Sequence, residues 1–297
     1  EEKRWVEEAR YLHALNFCML LPGPEAQKLA TYVGWLLHGV KGGLAAGILF
    51  VLPGAVVMLA VSLLYVLGQG IPVVEGALFG IKAAVLVIVV EALLRIGRRA
   101  LRSQLLYGVA GAAFVAIFFL DLPFPLIVLV AALAGFYSTP RSDAPLPPTP
   151  PGQWTYAART TAIGLALWWA PVALAVLWLG AGHVFYDIGL FFSKLATVSF
   201  GGAYALLSYM AQEAVETYRW LSATEMVDGL GLAETLPGPL IKVTQFVGFL
   251  GAWRDPGPLS PLAAGVLGSA LTTWVTFTPP MLLIFAGAPF VEQLRAN

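Results

Sequence analysis

The amino-acid sequence predicts an all-α fold, a polytopic membrane helix bundle with two homologous repeats and with helices broken at Pro-Gly-Pro. Of the 297 residues, 59% are hydrophobic and 11% are charged, whereas a soluble domain carries about 25% charged residues. The nine Trp and ten Tyr residues suit the interfacial belts of a membrane protein. The net charge of zero gives no electrostatic case for a nucleic-acid partner. The expected partner of most of the surface is therefore the lipid bilayer.

The repeat shows in a four-residue sequence, Leu-Pro-Gly-Pro, which occurs at 21–24 and again at 236–239. We call these two stretches the first break and the second break. Leu-Ala-Ala-Gly follows each of them, at 44–47 and at 262–265. The offset between the copies stays between 215 and 218 residues. The shared order and nearly constant offset predict an internal structural repeat.

Each break must interrupt a helix. Two prolines within three residues remove two backbone donors and prevent a continuous helix, and Pro24 is well placed to begin a new one. The apolar stretches beside the first break, 11–21 and 24–38, are each too short to cross a hydrocarbon core of ~30 Å. The sequence leaves open whether such an element is one broken helix or a re-entrant hairpin.

Further apolar stretches are predicted as spans or broken elements. They are 42–74, 79–95, 105–120, 124–138, 161–180, 188–211, 222–250 and 256–291. As one helix the last stretch would measure ~54 Å, so Thr278-Pro279-Pro280 is expected to divide it. The arginines from Arg95 to Arg102 form the densest basic cluster, which the positive-inside rule places in the cytoplasm.

The predicted organisation is a first repeat at 1–139, a Pro-rich cytoplasmic linker at 140–159, a central span at 160–187 and a second repeat at 188–297. The second copy has a span before its break that the first copy lacks. The first copy has spans after its break that the second copy lacks. We therefore expect the sequence to be truncated at both ends.

The orientation of the two halves depends on the broken elements. If each crosses the membrane once, the number of spans between equivalent points is odd and the halves are inverted. If each is a re-entrant hairpin, the same count is even and the halves run parallel. The sequence favours inverted halves.

A helix that begins inside the membrane presents free N–H groups and a positive dipole end, which together favour an anion without any charged side chain. Transporters built from repeats place such half-helix ends near the midplane. Gly23 and Gly238 would let the backbone approach the anion. Asn16 and Gln245 would act as neutral donors, and Lys194 as a compensating charge. The candidate substrate-binding residues are Asn16, Pro22, Gly23, Pro24, Glu25, Gln27, Lys194, Ser199, Phe200, Gly201, Gly202, Glu234, Thr235, Pro237, Gly238, Pro239, Thr244 and Gln245.

Each candidate also has a structural interpretation. A break can be a packing kink, a polar side chain can be satisfied by a neighbouring helix, and Lys194 can extend to the interface. His13, His38 and His183 lack metal-ligand spacing, so neither a metal nor a cofactor is predicted. No catalytic residue is predicted either, because no Ser/His pairing occurs and Asp228-Gly229 lacks the Gly-x-Gly-Asp order of intramembrane aspartyl proteases.

Four motifs are similar to signatures of the chromate ion transporter family, of the long-chain two-domain type. They are Leu-Asn-Phe-Cys-Met-Leu-Leu-Pro-Gly-Pro-Glu-Ala-Gln at 15–27, Leu-Phe-Val-Leu-Pro-Gly at 49–54, Ser-Phe-Gly-Gly-Ala-Tyr at 199–204, and 234–247. The resemblance covers nearly the whole chain outside the linker. It implies a multi-pass protein of the bacterial inner membrane with two homologous halves, which exports chromate and is driven by the proton-motive force.

Two departures from the family pattern matter. Lys242 stands where an apolar residue is expected, so it is left out of the site. The Phe-Gly-Gly motif expected upstream of the first break is absent. The alternative functions are a permease for sulfate or another oxyanion and a non-transporting membrane scaffold, and a homodimer is left open.

Overall fold

The structure, a computed structural model, describes residues 6–101, 104–120, 122, 126–127, 129–130, 133, 152–200, 203–236 and 239–296. No strand occurs among these residues, which confirms the all-α prediction. The α-helices are α1 (Glu8–Leu20), α2 (Glu25–Leu67), α3 (Pro72–Ala100), α4 (Gln104–Phe118), α5 (Gln153–Leu179), α6 (Val184–Thr197), α7 (Ala203–Gln212), α8 (Ala223–Thr235), α9 (Val243–Arg254) and α10 (Pro261–Ala296). A π-helical turn (Glu213–Thr217) follows α7, and a 3₁₀ turn (Leu240–Lys242) precedes α9.

Several of these helices suit a bilayer. Within the described residues, three segments are long and apolar enough to span one: Glu25–Leu67, Gln153–Leu179 and Pro261–Glu292. Shorter apolar helices occupy Pro72–Ile81 and Leu106–Phe118. Length and composition thus agree with a multi-pass membrane helix bundle.

The chain divides into two compact units, residues 82–145 and the remainder of the chain. In the smaller unit, Glu91 and Arg95 form an ion pair one helical turn apart, and the rings of Phe114 and Phe118 stack with centroids 5.5 Å apart. Most of the predicted span 124–138 and of the predicted linker lies outside the described residues. Both breaks belong to the larger unit.

In the larger unit, α1 and the start of α2 form a re-entrant hairpin, the first hairpin, whose tip is the first break. Leu21 ends α1 in an extended conformation (φ −92°, ψ 148°), and Pro24 precedes α2 with φ −62° and ψ 118°. The ring centroids of Phe17 and Tyr32 lie 6.0 Å apart, although a straight helix would separate them by ~22 Å. The chain therefore turns back at the first break.

A second reversal, inside α2, separates this hairpin from a spanning arm. The backbone is non-helical at His38 (φ −139°, ψ 25°) and at Gly39 (φ 61°, ψ −154°). A Cβ atom at Gly34 would lie 2.5 Å from the carbonyl oxygen of Gly42, so the two parts of α2 pack side by side. We call residues 40–67 the first spanning arm.

Around the second break, α8, the 3₁₀ turn and α9 form the second hairpin in the same way. The two helices that lead into the breaks, α1 and α8, both have 13 residues. Leu236 ends α8 with φ −92° and ψ 145°, and Pro239 has φ −70° and ψ 135°, close to the angles at the first break. A Cβ atom at Gly229 would lie 2.5 Å from the ring of Phe246. These two residues flank the break, so α8 and α9 run antiparallel.

A third hairpin, formed by α6 and α7, precedes the second one along the chain. The ring centroids of Phe191 and Tyr209 lie 5.9 Å apart, which a single straight helix could not allow. The turn includes Ser199 and Phe200. The stretch 188–211 is therefore a hairpin, not the one span that its length suggests.

The long helices continue through their internal prolines. Pro279 and Pro280 lie inside α10, so the expectation that they divide this segment is wrong. A proline removes one helical hydrogen bond and loosens the preceding turn, and the helix persists in a membrane when a neighbour satisfies the freed groups. The carbonyls of Val275 and Thr276 lose their helical donors at Pro279 and Pro280, and that of Phe277, next to them, accepts a hydrogen bond of 3.0 Å from Gln27 Nε2. The first spanning arm likewise continues through Pro53.

The first hairpin packs along the C-terminal half of α10. At its outer end, Arg10 pairs with Glu292 at 2.7 Å, and Tyr32 donates to the same carboxylate at 2.7 Å. At its tip, Gly23 packs on Pro280. The outer end of the first hairpin therefore lies near the C-terminal end of α10, and its tip lies nearer the middle of α10.

The second hairpin packs along the N-terminal half of α10. Phe249 lies against Gly265, where a Cβ atom would be 2.9 Å from the ring. Nearer the tip, Gln245 Nε2 donates to Ser269 Oγ at 2.8 Å. The two hairpins therefore enter from opposite ends of α10 and point toward each other, as expected for inverted repeats.

This orientation corrects the counting argument, which linked re-entrant hairpins to parallel halves. The expected odd number includes the segment upstream of a break as one crossing, whereas 188–211, which is that segment in the second repeat, is a hairpin like the element at each break. Neither the broken element nor the segment upstream of it then counts as a membrane crossing. Removing two crossings from an odd number leaves an odd number. The halves can thus be inverted although the broken elements turn back.

The opposed hairpins predict that their outer ends lie on opposite membrane faces. Glu8 and Ala223 are exposed and begin α1 and α8 at equivalent positions. In a Cys18→Ala background, a membrane-impermeant maleimide should label Glu8→Cys from one side and Ala223→Cys from the other. Ala14→Cys, at a position that is 0% exposed, serves as the unlabelled control. Labelling of both outer positions from the same side would contradict the arrangement.

Candidate functional site

The first break meets the turn of the third hairpin. The N–H of Gly23 donates to the carbonyl of Ser199 at 2.8 Å. Two motifs that lie far apart in the sequence, Leu-Pro-Gly-Pro and Ser-Phe-Gly-Gly, are therefore adjacent at the described positions. Pro237, Gly238, Gly201 and Gly202 lie outside the described residues.

Position 23 requires glycine because of both its backbone conformation and its close neighbour. Its φ of +101° is one that side-chain-bearing residues rarely adopt. A Cβ atom there would lie 2.3 Å from Cγ of Pro280. The glycine thus lets the tip of the first hairpin touch α10, which is a structural role beside the predicted approach to an anion.

Two glutamines near the breaks make reciprocal contacts between the repeats. Gln27 reaches α10 through the Phe277 carbonyl described above. Gln245, from the second hairpin, donates to the Ala55 carbonyl of the first spanning arm at 2.8 Å. Gln27 is 0% exposed and Gln245 is 3% exposed. Each hairpin therefore places a buried amide on the spanning segment of the other repeat.

The Gln27 side chain retains bonding capacity. Its Nε2 is committed to Phe277, whereas its Oε1 is buried without a hydrogen-bond partner among the described residues. A buried amide oxygen in this state favours a ligand or water that donates a hydrogen bond. An oxyanion would accept from the second N–H of Nε2, since the Phe277 carbonyl uses only one of the two.

Two of the predicted hydroxyl groups donate to backbone carbonyls three residues earlier in the chain. Thr244 Oγ1 donates to Ile241 at 2.7 Å, and Thr235 Oγ1 donates to Leu232 at 3.0 Å. Such bonds satisfy a hydroxyl locally. Neither threonine therefore depends on a neighbouring helix for a hydrogen-bond partner.

Other predicted residues lie at the margins of the hairpins. Asn16 and Glu25 are exposed, and Phe200 is 50% exposed. Lys194 is exposed as well, with Nζ 5.7 Å from the centroid of the Tyr209 ring. Exposure here means contact with lipid, water or other protein. The partly buried residues are Pro22, Pro24, Glu234 and Pro239.

Sequence reasoning missed the buried cations beside the breaks. Lys28 is 1% exposed and its Nζ donates to the carbonyl of Leu21. Lys242, which the family pattern argued against, is 3% exposed and lies over Gly54. A signal for Lys28 was available, because Gln27, Lys28 and Thr31 share one face of an otherwise apolar segment at helical spacing.

A partly open cleft of about 430 Å³ lies between the first spanning arm and α10. Its walls are largely apolar, and Gln245, Ser269, Thr273 and Thr278 supply the polar groups. At the wall of this cleft, Gln245 Nε2 donates both to the Ala55 carbonyl and to Ser269 Oγ. The polar part of the cleft lies at the level where the hairpins approach each other along α10.

Comparisons with known proteins support the family resemblance. A model of the chromate transporter family matches residues 1–136 and 186–297. The chain is 34% identical over 275 residues to the chromate transport protein of Pseudomonas aeruginosa, covering 90% of this chain and 62% of that protein. It is 27% identical over 299 residues to a probable chromate transport protein of Synechococcus elongatus, covering 100% of this chain and 70% of that one.

A third relative is the chromate transport protein of Cupriavidus metallidurans, 25% identical over 295 residues, with 99% of this chain and 67% of that protein covered. The chain thus spans between 62% and 70% of the length of these relatives. No solved structure matches the chain.

The packing of Gly23 predicts a stability effect that can be separated from backbone strain. Gly180 also has a positive φ, of 93°, but nothing lies within 4 Å of a Cβ atom there. Gly23→Ala and Gly180→Ala should share a strain cost of ~1–3 kcal/mol. Gly23→Ala should add ~1–3 kcal/mol from overpacking on Pro280. Thermal unfolding of the purified proteins in detergent measures the difference, and equal midpoints for the two variants would contradict the contact.

Proposed function

We propose, from the membership of this chain in the chromate transporter family, that it belongs to a secondary transporter that exports chromate across the bacterial inner membrane, coupled to the proton-motive force. The observation that carries the proposal is the pair of opposed hairpins whose broken tips approach each other along α10. The relatives named chromate transport protein supply the substrate class.

The chemistry of the tips suits an oxyanion. The turn after each break begins a helical segment, and the N-terminal N–H groups of a helix attract negative charge. Chromate is a tetrahedral dianion with four acceptor oxygens, so donors from two directions can share it. The proposed site therefore lies between the repeats, with donors from both hairpins.

The proposed binding residues remain those predicted from the sequence. They divide into buried residues and exposed residues. Gly23, Gln27, Ser199 and Gln245 are buried at contacts between the hairpins and their surroundings. Lys194, Asn16, Glu25 and Phe200 would act from the exposed margins. The proposed repeats are 1–139 and 188–297, joined by the linker and the central span.

Sulfate is the main alternative substrate, because it matches chromate in shape and charge. Backbone donors and amides do not distinguish the two anions by charge alone. A non-transporting scaffold is disfavoured by the buried lysine side chains beside the breaks, since an ionisable residue inside a membrane protein is a functional hypothesis by default.

Everted membrane vesicles carrying the protein test this function. They should accumulate labelled chromate when energised, because export from a cell becomes uptake into an everted vesicle. An uncoupler that dissipates the proton gradient should abolish the accumulation. Sulfate accumulation at an equal rate would favour the general oxyanion permease, and no accumulation of either anion would favour the scaffold.

The reciprocal glutamines give a sharper prediction. Gln27→Leu and Gln245→Leu should each lower chromate uptake at least tenfold, because each removes a proposed donor to the anion and a hydrogen bond to the opposite repeat worth ~1 kcal/mol. Gln69→Leu, at an exposed position outside the hairpins, is the matched control. Uptake is compared at equal protein abundance in the membrane. Normal uptake by both hairpin variants would exclude the glutamines from the site.

A further inference from the structure

A hydrogen bond between a tyrosine and a carboxylate joins the two repeats in the outer part of each hairpin. In the first hairpin, Tyr32 Oη donates to Glu292 of α10 at 2.7 Å. In the second hairpin, Asp228 accepts a hydrogen bond of 2.9 Å from Tyr65 Oη of the first spanning arm. We call these contacts the Glu292 bond and the Asp228 bond. Each of them connects the hairpin of one repeat to the spanning segment of the other.

The two bonds lie toward opposite ends of the spanning segments. Glu292 is close to the C-terminal end of α10, beside the outer end of the first hairpin. Tyr65 lies two residues before the end of the first spanning arm, which begins at that same outer end and runs away from it. Asp228 is the sixth of the 13 residues of α8, in the outer half of the second hairpin. The opposed hairpins thus place the two bonds toward opposite membrane faces.

Burial strengthens both bonds. Tyr32 is 0% exposed, Tyr65 is 6% exposed and Asp228 is 3% exposed. A phenol that donates to an ionised carboxylate forms a charge-assisted hydrogen bond, which is about twice as strong as a neutral one. Water that would compete for the same groups has little access to these side chains. Each bond can therefore hold a hairpin firmly on the opposite repeat.

Each bond is also close to a proposed ligand of the anion. Tyr32 follows Gln27 by five residues on α2. In the second hairpin, Phe246 directly follows Gln245, and its ring packs edge-on against Tyr65 with the centroids 5.1 Å apart. Movement at either bond would thus be transmitted to one of the two glutamines.

We infer that the Glu292 bond and the Asp228 bond are the two gates of the proposed anion site, one toward each membrane face, and that they open in turn. The inference rests on the proposed function and adds the control of access to that site. When one repeat moves against the other, the bond across their boundary must break at the face that opens. The other bond stays formed and keeps the opposite face closed. The structure, with both bonds formed, holds both gates closed.

Two equivalent positions can report the opening of the gates. Cys18 and Ala233 are the eleventh residues of α1 and α8, and they are 0% and 5% exposed. Cys18 belongs to the same buried cluster as Tyr32 and lies nearer the tip of its hairpin. Ala233 likewise lies five residues beyond Asp228 toward the tip of the second hairpin. A water-soluble reagent should therefore reach either position only when the neighbouring gate is open.

The test is labelling by a membrane-impermeant maleimide, with everted and right-side-out vesicles to expose the two faces separately. Tyr32→Phe and Tyr65→Phe each remove one bond and keep the aromatic ring. Tyr32→Phe should raise the labelling rate of Cys18 from the face of the first hairpin at least about fivefold, as expected for one lost hydrogen bond. Tyr65→Phe should do the same for Ala233→Cys, in a Cys18→Ala background, from the opposite face. Tyr11→Phe, at an exposed tyrosine of α1, should change neither rate.

The pattern of labelling separates a gate from a merely stabilising contact. Each substitution should raise labelling behind its own bond alone, whereas a general loosening of the bundle would raise it at both positions. A rise at both positions, or at neither, overturns the inference.

A second pair of variants serves where a phenylalanine variant does not reach the membrane. Glu292→Gln and Asp228→Asn keep an acceptor for the tyrosine but remove the charge, so each should raise labelling behind its own bond by a smaller factor. Unchanged labelling in these two variants also counts against the gates. The labelling needs no chromate. Absence of chromate uptake by the unmodified protein would therefore reject the proposed function and leave the labelling result to decide the gates.

Discussion

The structure depends on one constraint, which is that backbone groups freed by a helix break inside a membrane must be satisfied by protein. Gly23 gives its N–H to Ser199, and Lys28 bonds the carbonyl of Leu21. The carbonyls of Phe277 and Ala55 in the spanning segments accept the Gln27 and Gln245 amides. Because unsatisfied groups in hydrocarbon cost several kcal/mol each, the breaks persist only while these partners stay in place. The breaks therefore tie the hairpins to the spanning segments of both repeats.

The same bonds place polar groups between the repeats. In the first spanning arm, the carbonyl of Ala55 follows Pro53 and accepts a hydrogen bond from Gln245 of the second repeat. In α10, the carbonyl of Phe277 precedes Pro279 and accepts one from Gln27 of the first repeat. A ligand that replaces one of these bonds would contact both repeats together. Relative motion of the repeats would then change which membrane face reaches the ligand, as in transporters built from inverted repeats.

Sequence patterns predicted the helical fold, the repeat and both breaks, because proline chemistry and hydrophobicity act locally. They wrongly predicted that α10 is divided at Pro279 and Pro280, because a helix can continue through proline where the surrounding protein supports it, which a local pattern does not show. The hairpin at 188–211 was missed because apolar length alone does not distinguish a span from a reversal. Lys28 was missed because burial depends on the neighbours of a residue. The contact of Gly23 with Pro280 was likewise beyond any sequence pattern.

The central claim is that the two hairpins share one oxyanion site between the repeats. Equilibrium binding of labelled chromate to the purified protein in detergent tests it most directly, through the number of bound anions per polypeptide. The opposed hairpins predict one bound chromate at saturation, and Gln27→Leu or Gln245→Leu should each reduce the affinity of that same site. Two independent chromate sites per polypeptide, each sensitive to only one of these substitutions, would contradict the account.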